Sequence, residues 1–363
     1  MKEYLLRQIE RYPGMQVEDA VKLLYQSEFG SGHMIKNPQA SLKRIKEEWE
    51  RIKEQRLADC KEETVRMQSQ KIPDCEEIGG GMCRMNLKIL EKGFSPETLN
   101  QIFVRTAERK VGTVSSFEKK LDMLKECGEK GEVPFSGEEM ERYLEDYRKQ
   151  GYPPVSHSQA YRRLYHPAYR VAAEYYTRYY DVFLSIDRLC AEAGDRQVLV
   201  AVDGMCGSGK STLGKILKEI YGCRLFHMDD FFLRPCQRTK ERLAQPGGNV
   251  DYERFKEEIL DHIGEKQGLK YRPYDCGTQT LGQPVKEPYH TLNILEGVYS
   301  QHPCFGNIYD LRIFCQIEKE EQERRILKRN GKEMLKRFQE QWIPMENLYF
   351  ETFHIARKSM VIK

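Results

Sequence analysis

Apolar positions change their spacing along this chain near residue 194. Before that point they recur every three or four residues, the period of a helix that buries one face. Val17, Ala20, Val21, Leu24 and Tyr25 form such a face over Val17–Phe29, and Leu42–Glu54 reads as a heavily charged helix. Ser95 and Pro96 supply a cap and a proline at the first helical position. Ser136 to Glu139 match a capping box ahead of a helix that ends near Gly151. Gly79–Gly81 breaks the chain, and Tyr169–Leu189 predicts one long tyrosine-rich helix closed by the Ala191–Asp195 segment. The first half is therefore expected to be mostly α-helical.

Beyond Gly194 short β-branched runs alternate with helical patterns, the signature of a parallel sheet with crossover helices. Val198–Val202, Leu225–Met228, Leu292–Leu295 and Leu311–Ile317 read as strands. Leu213–Ile220, a stretch within Asn249–Gly264, and Glu318–Asn330 read as helices. The expected division is 1–193 and 194–363.

Between the first of those strands and its helix stands GMCGSGKST, Gly204 to Thr212. It fits G-x-x-x-x-G-K-[ST] in the strand–loop–helix context that a phosphate loop requires. Glycines let backbone N–H groups turn inward around an anion, and the new helix adds its positive end. Gly204, Gly207, Ser208, Gly209, Lys210, Ser211 and Thr212 are thus candidate ATP-binding residues, with Lys210 on the β- and γ-phosphates and Ser211 on Mg²⁺.

Three further segments give the loop a chemistry. Asp229, just after the second strand, sits where open α/β sheets bind ligands and can take a proton from an attacking hydroxyl; a solvated Asp-Asp turn is the plain alternative. Glu296, at the end of an apolar strand, suits a second Mg²⁺ contact or only a strand-end charge. Arg324, Arg325, Lys328 and Arg329 crowd one helix, either to neutralise charge on a transferring phosphoryl group or as a solvated face.

Taken in order, five landmarks make residues 195–363 resemble the uridine kinase and nicotinamide riboside kinase group of phosphate-loop kinases. They are the glycine loop, Asp229–Phe232, Tyr271–Asp275, Leu295–Gly297 and the arginine helix. Trp342, Pro344 and Met345 are similar to a stretch after the lid of the nicotinamide riboside kinases. The resemblance implies an α/β P-loop NTPase fold, with Asp229 as the base, Asp230 at a variable position and Tyr274 lining the acceptor pocket. Gln279 and Leu281 stand where uridine kinases carry a histidine and an arginine, which argues against uridine and cytidine. Arg234–Val250 is particular to this chain and points to an unusual acceptor.

Composition narrows the partners. With 32% charged residues but a net charge of only +3, the chain lacks the basic excess of a nucleic-acid binder, and no apolar segment approaches membrane length. Eleven cysteines without C-x-x-C pairs read as reduced thiols of a cytoplasmic protein. Glu346–Phe350 spells the start of a protease tag site yet continues as a helical pattern, and is treated as native.

The first half carries three patches rich in Gly, His, Arg and Tyr: Tyr25–His33, Gly79–Asn86 and Pro154–Arg170. His33, Arg84, His157 and Arg170 either converge on an anionic or sugar-like ligand or serve as packed and solvated edges. The reading is a kinase that transfers the γ-phosphate of ATP, with Mg²⁺, to a hydroxyl of a nucleoside-like or sugar-like small molecule, with Asp229, Lys210 and Arg325 as catalytic residues. The alternative is an ATP-binding regulatory protein whose helical half contacts a partner. Self-association is left open.

Overall fold

The computed structural model describes residues 1–35, 37–59, 72–108 and 112–363. The chain divides into two compact units, Met1–Asp187 and Arg188–Lys363, with the boundary inside the helix Tyr180–Ala193.

The first unit wraps helices around a three-stranded antiparallel sheet, β1 (Cys75–Gly79), β2 (Met82–Asn86) and β3 (Tyr169–Ala173), in that order. The helical periodicity did not foresee this sheet. Gly80 and Gly81 form the hairpin turn between β1 and β2, and a Cβ on Gly80 would stand 1.8 Å from the Ser27 carbonyl oxygen. The single helix expected over Tyr169–Leu189 is replaced by β3, a short helix Glu174–Thr177 and the helix Tyr180–Ala193. Tyr169–Ala173 pairs along the whole of β2, and that ladder outweighs local helical preference. The helices Val17–Phe29 and Pro96–Ala107 form where expected, the second capped by Ser95 Oγ, which accepts from the Glu97 and Thr98 amides.

A buried polar chain runs through this unit. Arg84 of β2 donates to Gln26 Oε1 from Nε and Nη2, and to Gln8 Oε1 from Nη1. Its guanidinium lies 4.7 Å from the Tyr169 ring centre. The Tyr169 hydroxyl donates to His157 Nε2 at 2.6 Å, and His157 Nδ1–H donates to Asp19 at 2.8 Å. These partners fix the neutral tautomer of His157. Burial works against the Asp19 charge, but hydrogen bonds from His157, Ser158 and the Gln16 amide hold its carboxyl below the usual range. Arg84 and His157 are thus brought together, but by packing against Tyr169. Arg170 pairs instead with Glu48, and His33 packs edge-on to Tyr25, so the four do not meet around one ligand.

The second unit is built on a five-stranded parallel sheet. Its strands are β4 (Val198–Gly204), β5 (Arg224–His227), β10 (Leu292–Glu296), β11 (Leu311–Cys315) and β12 (Met360–Ile362), in the spatial order β12-β11-β4-β10-β5. Between β5 and β10 lie two small antiparallel pairs, β6 (Leu269–Tyr271) with β9 (Val285–Glu287), and β7 (Tyr274–Asp275) with β8 (Thr280–Leu281). Every residue of the central strand β4 is buried. The chain leaves β4 for the far edge at β5, returns to β10 beside β4, then crosses to β11 on the other side. The connection reverses beside β4, and open α/β sheets place ligands in the crevice at such a point, outside the strand C-termini. This is an α/β phosphate-loop fold. The arginine helix spans Lys319–Arg337 with a break at Gly331, longer than its expected end at Asn330.

Burial, aided by the charges of Arg84 and Lys22, holds the His157 imidazole down to about 4, against 6.5 in an unfolded chain. A depressed folded value means its stabilising contribution is complete above pH 6.5 and is lost as pH falls toward 4. At 1.36 kcal/mol per pKa unit the loss is on the order of 3 kcal/mol. Urea unfolding of the first unit at pH 7 and pH 4.5 should therefore show a steeper decline for the wild type than for His157→Gln. Equal declines would mean that His157 is not held neutral.

Candidate active site

The glycine loop departs from β4 at a position only glycine tolerates. Gly204 has φ 139°, and a Cβ there would lie 2.1 Å from the Cys315 carbonyl oxygen of β11. Gly209, at φ 101°, opens the helix Lys210–Tyr221. That helix start turns its free N–H groups and positive end toward the loop.

The loop is clamped from beneath. Asp203, fully buried, accepts from the Gly204 amide at 2.7 Å, the Gln301 amide at 3.1 Å and the Tyr349 hydroxyl at 2.8 Å. Burial pushes its carboxyl up to about 6 against those three bonds. Cys206 is held on both sides: its amide donates to Glu346 at 2.9 Å, and its carbonyl accepts from Gln322 Nε2 at 2.9 Å. Burial also raises the Glu346 carboxyl, and the Lys210 charge opposes that rise. Glu346 and Tyr349 lie three apart on the helix Ile343–Phe353 and so share one face. The tag-like stretch is thus part of the loop's support.

Functional groups gather above the loop in a cleft of ≈ 970 Å³, within the size range of ligand sites. Lys210 Nζ donates to the Gly204 and Met205 carbonyls at 2.8 and 3.0 Å. Ser211 Oγ donates to Glu296 Oε1 at 3.0 Å, and His227 Nδ1 meets the other Glu296 oxygen at 2.7 Å. That bond, ahead of opposing burial, raises the His227 imidazole. Arg325 Nη1 reaches the Gly207 carbonyl at 3.1 Å, and Arg329 also lines the cleft.

Asp229 faces this cleft and Asp230 does not. Asp229 is open to the cleft's solvent but walled closely by protein. Burial first, then the Glu296 charge, raises its carboxyl, while Lys210, His227 and Arg329 pull it back. Asp230 turns toward the Tyr271 hydroxyl at 3.4 Å. A carboxylate raised by its surroundings is a better proton acceptor than a solvated one.

Among the candidate residues, Gly207, Gly209, Lys210, Ser211, Thr212, Asp229, Gln279, Glu296, Arg325 and Arg329 line one cleft. Gly204 and Ser208 belong to the loop but do not line the cleft, and two further candidates lie elsewhere. Arg324 points outward and pairs with Glu321 at 2.6 Å, because its place on the helix turns it from the loop. Tyr274 is buried behind the cleft wall, where its hydroxyl accepts from Arg238 Nη2 at 2.9 Å. Arg238 therefore reaches the cleft where Tyr274 was expected to. Sequence patterning assigns no functional role to Asp203, His227, Gln322, Glu346 or Tyr349. An acidic residue directly before the loop and the i,i+3 pair Glu346/Tyr349 were the available signals.

Ser211 and Glu296 form an oxygen-only pair at the loop. Among the described residues no cluster of three or more His, Cys, Asp and Glu could cage a metal ion. The pair fits Mg²⁺, which is commonly held by one or two protein oxygens together with phosphate oxygens and water. No helix among the described residues is long and apolar enough to cross a membrane.

No protein-family model matches this chain, and no curated protein matches it. Solved structures that align with it include a possible uridine kinase from Bacillus stearothermophilus, at 18% identity and a TM-score of 0.37, over 50% of this chain and all of that one. Another is the YGR205w protein, also at 18% identity and a TM-score of 0.37, over 51% of this chain and 89% of that one.

The clamp on the loop makes a prediction of its own. Tyr349→Phe removes a donor from buried Asp203, which costs about 1–3 kcal/mol for the group left short of a partner. Unfolding of the second unit should shift accordingly, and ATP should bind more weakly by equilibrium titration. Unchanged stability together with unchanged ATP affinity would show that the loop does not depend on this contact.

Proposed function

We propose that the Arg188–Lys363 unit transfers the γ-phosphoryl group of ATP to a hydroxyl of a small molecule, nucleoside-like or sugar-like. The observation that carries this reading is the cleft itself. It holds a phosphate loop at one side and, at the strand ends, a carboxylate with a raised proton affinity, Asp229.

In this reading the loop amides and Lys210 bind the β- and γ-phosphates, and Lys210 exchanges its loop carbonyls for them. Mg²⁺, when bound, would supply neutralisation of the phosphate charge. Ser211 and Glu296 would hold it, and His227 orients the Glu296 carboxylate through its second oxygen. Arg325, anchored on the Gly207 carbonyl, and Arg329 stabilise negative charge spread over the group in transfer. The acceptor hydroxyl gives its proton to Asp229 as its oxygen takes the phosphoryl group in line with the leaving ADP.

Acceptor-dependent ADP release measured beside ATP binding tests the assignment. Asp229→Asn keeps size and polarity but removes the base, so turnover should fall by roughly 10²–10⁴ with ATP affinity nearly unchanged. Asp230→Asn should be much milder, since that side chain turns toward Tyr271. Lys210→Ala should lose both transfer and tight ATP binding. If both aspartate variants keep full turnover, the base assignment fails, and binding of ATP without transfer to any alcohol would favour a regulatory nucleotide site.

The raised Asp229 carboxyl also sets a pH dependence. The base works only as the carboxylate, so kcat should fall as pH drops through a value above the ordinary aspartate range. A profile flat down to the ordinary value of 3.8 would contradict this.

A further inference from the structure

The stretch Arg234–Val250 forms part of the cleft wall and has no task in phosphoryl transfer as described. It is tied down at several points. Gln237 Nε2 donates to Asp251 at 2.9 Å, Arg242 donates to the Gly248 and Val250 carbonyls, and an isolated bridge joins Phe232 to Val250. This clasp presents Arg238 to the cleft, near Cys276 of the β7–β8 hairpin.

Arg238 is held firmly by neutral partners. Its Nε donates to the Leu233 carbonyl at 3.0 Å and its Nη2 to the Tyr274 hydroxyl at 2.9 Å. These bonds fix the guanidinium plane, and Nη1 has no partner among the described residues. Three carboxylates of the neighbouring segments are engaged elsewhere. Asp275 accepts from the Gly277 and Thr278 amides, Asp251 accepts from Gln237 and lies 3.7 Å from Arg254, and Glu253 pairs with Arg242. Arg238 therefore stands in the cleft wall with no ion-pair partner among the described residues.

Arg238 stands on the hairpin side of the cleft, where Cys276 feels both its charge and that of Asp229. The cations acting most on Asp229 are Lys210, His227 and Arg329. Arg238 belongs with Cys276 and Gln279 of the hairpin side. Gln279 holds φ 58°, an uncommon conformation for a residue with a side chain, and such positions cluster at ligand sites. Asn249 lines the same cleft with Oδ1 buried and without a partner. A ligand that fills this end strips water from Arg238. A neutral one would leave the cation unpaired, whereas an anionic one would pair with a guanidinium already oriented.

We propose that Arg238 forms an anion subsite at the acceptor end of the cleft, so that the alcohol phosphorylated here carries a carboxylate or phosphate of its own. This rests on the phosphoryl-transfer reading above. The planar fork of arginine suits either anion.

Calorimetric titration of the full chain saturated with MgADP tests it, with gluconate and ribose 5-phosphate as probes and glucose and ribose as neutral controls. At least one anionic probe should bind about tenfold or more tightly than its neutral counterpart, and the one that does distinguishes carboxylate from phosphate. Arg238→Gln should lose about ten- to a hundredfold of that affinity while MgADP binds as before. Arg238→Lys should fall between, and Tyr274→Phe, which loosens the guanidinium, should lose a few-fold. The subsite is overturned if neither anion is preferred, if Arg238→Gln binds anions as the wild type does, or if that variant instead loses MgADP affinity. A wild type that phosphorylates neutral alcohols and ignores the anions overturns the subsite alone. Failure to bind MgADP overturns the transfer reading, and titration of the nucleotide-free chain with the same probes then still decides the role of Arg238.

Discussion

A carboxyl group buried at the end of the central strand organises this cleft. Asp203 gathers three donors from separate parts of the second unit: the first glycine of the loop, the amide of Gln301 after β10, and the hydroxyl of Tyr349 near the C-terminus. Removing any donor leaves a buried acceptor short of a partner, which is costlier than the bond's net contribution when made. A phosphate loop acts by aiming backbone N–H groups at fixed points, so its usefulness depends on the rigidity of the chain behind it. Glu346 and Gln322 extend the clamp to Cys206. The arginine helix and the helix after it thus contribute support to the loop as well as charge to the cleft.

Much of the second unit was legible because its signals are local. The glycine spacing, the apolar run before it and the amphipathic run after it all fall within about one turn of their place in the structure, and Asp229 and Glu296 stand at strand ends where the fold gathers ligands. What escaped depends on contacts between distant segments. Arg238 and Tyr274 exchange places at the cleft because a clasp over residues 234–251 turns the arginine inward, and nothing in either segment alone records that. Arg324 and Arg325 are adjacent in sequence and both pair with Glu321, yet only Arg325 also reaches the loop, a difference set by helix rotation against the sheet.

The first unit was less legible for the same reason. The hairpin β1–β2 and the strand β3 are far apart in sequence, and Tyr169–Ala173 becomes a strand because β2 offers it a ladder. Its buried charges resemble those of the second unit in logic but not in use. Arg84 is satisfied by two glutamine side chains and a tyrosine face, and Asp19 by a neutral histidine and backbone amides. Gln8 Nε2 is buried without a partner, but the charged groups of this network are satisfied within it, which fixes one packing arrangement. In the second unit the cleft keeps polar groups in reach of a bound molecule, and that contrast is why the chemistry is assigned there.

Phosphorus-31 NMR of the full chain with Mg²⁺, ATP and a set of neutral and anionic alcohols tests the central claim most directly. A new phosphate monoester resonance should grow as ATP is converted to ADP, and should appear only with an accepted alcohol. ATP that is bound but persists unchanged beside every alcohol, or that yields only inorganic phosphate, would contradict it.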